Sequence, residues 1–230
     1  SGVRPDNPLV AFVPPLHPWT MALALWAGGS SSALILGALQ TLVGALTAWM
    51  IYRLALDLAL GAGLGRRPAV LAGWGAALYP AHILCTSQPI SAVLHAGCLA
   101  AILLASLGLL RRPSLWRSLL VGALVGLFAL SRPQILAFIP LIIGWLWWCT
   151  RRAPTSPPES RPYTVPALGR SQGPGLLRLS IAMVLAAMLM VLPWSVRNGL
   201  VLGRWLPFPT NGGATFWNGN NPFTSGSGHD

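Results

Sequence analysis

The chain has 230 residues, 54% of them hydrophobic and 8% charged, with a mean hydropathy of +0.62. Soluble domains carry about 25% charged residues, so composition excludes an ordinary water-soluble domain and points to a membrane protein. The net charge of +11 comes from 15 arginines against Asp6, Asp57, Glu159 and Asp230. Because these arginines fall between apolar runs, topology explains them better than a nucleic-acid partner does.

The predicted elements are all helical. Residues 1–31 form an outer loop that is Pro-rich up to VPPLHPW, where proline at this density opposes a continuous helix. They close with a short interfacial half-helix, Trp19 to Ala27, whose Trp19 and Trp26 suit the headgroup level. Residues 32–149 hold the transmembrane helices. The first runs from Ser32 to Tyr52 and ends at Arg53, and a return from Ala69 to Leu84 is broken at Tyr79-Pro80. Ile90 to Leu110 comes next, followed by two short pieces, Leu119 to Leu130 and Ile135 to Trp148, around SRPQ. Together these last two exceed one bilayer thickness, so they are read as two spans. Residues 150–175 are a Pro/Arg/Ser-rich cytoplasmic linker, residues 176–192 the last span, and residues 193–230 an extra-cytoplasmic loop rich in Asn, Gly, Trp and Pro.

Six alternating spans would place 11 arginines on one side and Arg4, Arg132, Arg197 and Arg204 on the other. The positive-inside rule assigns the richer side to the cytoplasm. Arg132, Arg197 and Arg204 then oppose the bias on the outer face. Two readings stay open for them: snorkelling to the headgroups, or clamping a phosphate, whose oxygens match a guanidinium fork. NGG from Asn211 and NGNNP from Asn218, with Asn220 and Asn221, offer bare backbone N–H groups and amides, and Phe216-Trp217 offers rings to stack on a sugar. Ordinary turns read the same way. His17 either hydrogen-bonds a substrate or caps and packs.

The pattern H-x-x-C occurs twice, at His82/Cys85 and His95/Cys98. It lies on two different elements with no carboxylate near, so these residues are read as packing and no metal ligand is assigned. The three cysteines lie in or beside apolar runs, which opposes a disulfide scaffold. Asp57, four residues after Arg53, is expected to form an i,i+4 ion pair.

Four segments stand in order along the chain: VPPLHPWTMALALWAGG, LQTLVGALTAWMIYRLA, LLVGALVGLFALSRPQILAFIP, and LPWSVRN followed by NGG and GNNP. In that order they resemble the membrane-embedded GT-C glycosyltransferases of the family 39 type, which include protein O-mannosyltransferases and the lipid A aminoarabinose transferase. The resemblance implies hexosyl or pentosyl transfer from a polyprenyl-phosphate donor to a lipid, glycan or protein acceptor, on the outer face of a bacterial inner membrane. Membrane lipids would be its other partners. It implies substrate binding by His17, Arg132, Arg197, Asn198, Asn211, Trp217, Asn220 and Asn221. The catalytic aspartate is expected upstream of Ser1. A divalent metal assists some relatives of this type.

Three positions depart from the family pattern. A lysine before P-P in some relatives is Val13 here, a second loop acid corresponds to Gln88 or Ala92, and Asp6 matches the catalytic position only loosely. From another class, a transporter or flippase subunit for a polyprenyl-linked glycan fits the hydropathy. Such a subunit would be expected to place ionisable residues mid-membrane, and these spans offer only histidines.

Overall fold

The computed structural model describes residues 14–88, 91–151, 175–203, 205–208, 216, 217 and 220. Among them every regular element is helical. Helix α1 covers Leu16–Gly28 and passes through a 3-10 turn, Gly29–Ser31, into α2, Ser32–Gly61. Then come α3 (Arg67–Ala77), α4 (Pro80–Ser87), α5 (Ala92–Arg111) and α6 (Leu115–Ala129). A second 3-10 turn, Pro133–Ala137, leads into α7 (Phe138–Arg151), and α8 spans Leu176–Leu202.

Three stretches are long and apolar enough to cross a membrane: Leu16–Gly61, Ala92–Arg111 and Leu176–Leu202. The bent pair α3 and α4, which meet at 43°, makes a fourth if counted as one span. The break falls at Tyr79-Pro80 as expected, because proline restricts the residue before it to an extended conformation and Tyr79 has ψ 115. Helices α6 and α7 are apolar but shorter. Outward faces are greasy: Leu34, Leu42, Leu185, Met188 and Leu189 are all exposed. Such a surface is compatible with lipid contact and far exceeds the scattered apolar residues of a soluble monomer.

Several boundaries differ from expectation. Helix α1 starts at Leu16 despite its prolines, because Pro18 sits in the first turn, where its missing N–H would have no partner anyway. Helix α2 continues past Arg53 to Gly61, carrying Asp57 inside it. Asp57 does not close the local pair with Arg53. Its Oδ2 meets Arg111 Nη1 at 2.8 Å, and Arg111 Nη2 donates to the Asp57 carbonyl at 3.2 Å. Both side chains lie partly out of water there, and the last turn of α5 gains a tether to α2. Helix α8 runs through Pro193, so residues 193–202 are helical.

The closest helix pair is α6 with α8. Ser118, Gly122 and Gly126, four residues apart, place small groups in a row on one face of α6. The Ser118 hydroxyl donates to the Leu179 carbonyl. A methyl on Gly122 would overlap the Met183 carbonyl, and one on Gly126 would fall 2.5 Å from the Ala187 oxygen. Bare Cα atoms therefore let the two backbones touch, the usual role of small residues four apart in apolar helices. Val121, Val125, Leu179 and Met183 fill the core around this seam.

Gly122→Ala should therefore lower stability by about 1–3 kcal/mol through overpacking. Gly144→Ala, where a Cβ meets nothing within 4 Å, should not. Thermal unfolding of the two variants in the same detergent checks the contrast.

Candidate functional site

The 20 residues of α5 span about 30 Å and separate two chemically distinct ends. At one end stand Asp57, Arg111, Arg112 and Arg117. Ser114 caps α6 there by accepting from the Arg117 N–H at 3.3 Å, and the Arg117 guanidinium donates to the Gly108 and Arg112 carbonyls at 3.3 and 2.7 Å.

The other end is built from the start of α1, the start of α5, the α6–α7 turn and α8 around residue 194. Helix α6 stops at SRPQ because Arg132, which precedes a proline, is extended, with φ −140 and ψ 92. The Ser131 and Arg132 N–H groups both donate to the Phe128 carbonyl, at 2.9 and 2.8 Å, which closes the helix. Ser131 is buried and hydrogen-bonds His95 Nε2 at 2.5 Å; the imidazole lies 5.4 Å from the Phe128 ring. Arg132 itself is exposed. Helix α1 is anchored alongside, its Leu16 N–H donating to the Leu130 carbonyl at 3.5 Å. His17 and Arg132 both lie within electrostatic reach of His95.

Helix α8 completes this end. Trp194 meets Trp19 edge to face at 6.2 Å, and the Arg197 guanidinium lies 5.2 Å from the Trp194 ring centroid, a cation–π geometry. Arg197 Nη1 also donates to Asn198 Oδ1 at 3.0 Å. Asn198 is fully buried, and its Nδ2 donates to the Leu206 carbonyl at 2.8 Å. Gly203, at φ +65, reverses the chain after α8 so that Trp205 packs over Gly199. Trp194 is 7% exposed, and its indole N–H has no partner among the described residues.

His17, Arg132, Arg197 and Asn198 thus share one end of the bundle. Trp217 and Asn220 are exposed, and Asn220 Nδ2 donates to the Phe216 carbonyl at 2.8 Å. Among the described residues no hydrogen bond or ring contact joins that segment to the cluster. Asn211 and Asn221, like Asp6 and Arg204, lie outside the described residues. Sequence reasoning missed His95, Ser131 and Trp194. For His95 the H-x-x-C spacing drew attention to a metal instead, whereas its neighbour in space is 36 residues away. His82 Nε2–H donates to the Gly44 carbonyl of α2 at 3.3 Å, a packing role as expected. Among the described residues no three His, Cys, Asp or Glu side chains converge.

Chemically, the cluster offers guanidinium forks, imidazoles, hydroxyl and indole donors to an anion. Asp57, at the opposite end, is the single carboxylate among the described residues. A scan against protein-family models gives no match, and searches of curated proteins and of solved structures give none either.

Asn198→Ala should free the segment at Leu206 by removing the donor to its part-buried carbonyl, at a cost of about 1 kcal/mol. Hydrogen exchange should quicken at residues 205–208 while the α6–α8 seam stays protected.

Proposed function

We propose that this chain is part of a membrane glycosyltransferase that moves a sugar from a polyprenyl-phosphate donor to an acceptor on the outer face of a bacterial inner membrane. The observation that carries the reading is that His17 and Arg132 beside His95, and Arg197 against Trp194, lie at one end of an apolar bundle, where the buried Trp194 indole N–H has no partner among the described residues. Cations gathered with no carboxylate beside them among the described residues suit a phosphate, and the apolar outer surface suits a lipid that carries it. With α6 and α7 counted as short spans beside α2, α3–α4, α5 and α8, the described residues supply six. The arginine-poor end then faces outward by the positive-inside rule.

In the reaction an acceptor hydroxyl attacks the anomeric carbon, the bond from that carbon to the phosphate oxygen breaks, and polyprenyl phosphate leaves with the electron pair. Arg132 and Arg197 stabilise the charge that grows on this leaving group, which is the step where preorganised donors contribute most. Trp19 and Trp194 form an aromatic wall at the same level. The acceptor proton goes to a carboxylate base, which the family resemblance places in the first outer loop; no described residue fills that role.

Arg132→Ala and Arg197→Ala should each weaken binding of undecaprenyl phosphate by about 10- to 100-fold, as for loss of a charged hydrogen-bond donor. The lysine variants should keep part of the affinity. Wild-type affinity in both alanine variants, measured on detergent-solubilised protein, overturns the clamp. For sidedness, single cysteines replacing Trp116 and Asn220 in a cysteine-free background should label from opposite faces with an impermeant maleimide. Asn220 should react from outside, and its protection there would reverse the topology.

A further inference from the structure

At the arginine-rich end, α2, α5 and α7 leave a groove of about 420 Å³ between them, a size within the range of small-molecule sites. Leu54 and Leu58 of α2, Leu103 and Leu107 of α5, and Ile142 and Trp145 of α7 give it walls of hydrocarbon. One polar group interrupts them. Ser106 lines the groove, is 3% exposed, and its hydroxyl has no partner among the described residues. Serine and threonine inside helices ordinarily bond back to the carbonyl one turn earlier, as Thr47 does to Val43 and Ser180 to Leu176. The Ser106 hydroxyl does not, and a buried hydroxyl left unmet costs about 1–3 kcal/mol.

Arg111 lies five residues further along α5, an axial distance of about 7.5 Å. Exposed Arg112 follows it, and α7 ends on Arg151 at the same end of the bundle. An occupant of this groove therefore needs three parts in order: a hydrocarbon chain, an oxygen acceptor at the depth of Ser106, and an anion about one and a half helical turns beyond.

We propose that the groove between α2, α5 and α7 is a binding site for an anionic glycerophospholipid. One acyl chain lies against the leucines, its ester carbonyl accepts from Ser106 Oγ–H, and its phosphate meets exposed Arg112 beside the Asp57–Arg111 pair. An isoprenoid phosphate has no oxygen between chain and phosphate to meet Ser106. A free fatty acid has one polar end and would satisfy either the hydroxyl or the arginines. A zwitterionic headgroup would bring a cation to an end already rich in arginine, where anionic lipid is favoured by about 1 kcal/mol per basic residue. This site is separate from the phosphate cluster at the other end of α5, and it rests only on the membrane part of the reading above.

The test uses the full chain, extracted into polymer nanodiscs, moved to mild detergent and titrated with dioleoyl-phosphatidylglycerol or dioleoyl-phosphatidylcholine under native mass spectrometry. Wild type should retain one phosphatidylglycerol with about tenfold preference over phosphatidylcholine. Leu103→Trp, which fills the groove, should lose it. Ser106→Ala removes only the hydroxyl and should weaken retention by about tenfold, while Ser106→Thr keeps it. Equal retention of both lipids, or wild-type retention in both Leu103→Trp and Ser106→Ala, overturns the proposal. If the wild type is found in the soluble fraction, the membrane reading fails and this proposal with it. If it is membrane-bound yet retains no lipid, this proposal alone fails.

Discussion

Backbone contact between α6 and α8 is the constraint on which the rest of this bundle depends. Gly122 and Gly126 bring the carbonyls of Met183 and Ala187 against bare Cα atoms, and the Ser118 hydroxyl donates to the Leu179 carbonyl one turn before. Two helices in contact this close have a fixed register, since a slip of one residue would push a side chain into the opposing backbone. The register decides what happens beyond the seam. One turn past Gly126, α6 ends in the Ser131-Arg132 turn, and less than two turns past Ala187, α8 presents Trp194 and then Arg197. The cationic cluster is a consequence of the glycines.

Around that seam the structure has two polar ends joined by apolar helices. One is tied together by the Asp57–Arg111 pair and by Arg117 holding the final carbonyls of α5. These arginines are engaged with the protein, and they tether α5 to α2 and to the start of α6. The other end holds its cations differently. Arg132 is exposed on a turn that His95 and Ser131 brace from below, and Arg197 lies over an indole with, among the described residues, a neighbouring amide as its hydrogen-bond partner. Guanidinium groups engaged with carbonyls and a carboxylate have little left for a ligand; those resting on rings and amides keep donors to spare. The contrast supports placing the donor-phosphate site at the second end, while at the first, exposed Arg112 is left to meet a lipid headgroup.

Much of this was legible in the sequence. Apolar run lengths, the Tyr79-Pro80 break, the division at SRPQ and the arginine-flanked ends follow from hydropathy and proline geometry, which act within a few residues. Helix ends were less legible. Arg53 looked like a terminus, yet α2 continues two further turns, because Asp57 in the extension finds a cation on α5. Pro193 looked like another terminus, yet α8 continues, because buried Trp194 and Asn198 hold its last turns against the bundle and the returning chain.

By itself, then, the sequence determined an all-helical, apolar chain with its arginines gathered unequally between the runs, since hydropathy and charge are properties of local segments. Only the tertiary structure decided which polar groups meet. It paired Asp57 with Arg111 and His95 with Ser131, and it left the Trp194 indole and the Ser106 hydroxyl buried without partners among the described residues. Those outcomes depend on contacts between residues tens of positions apart, and they are set by how closely small side chains let the helices approach.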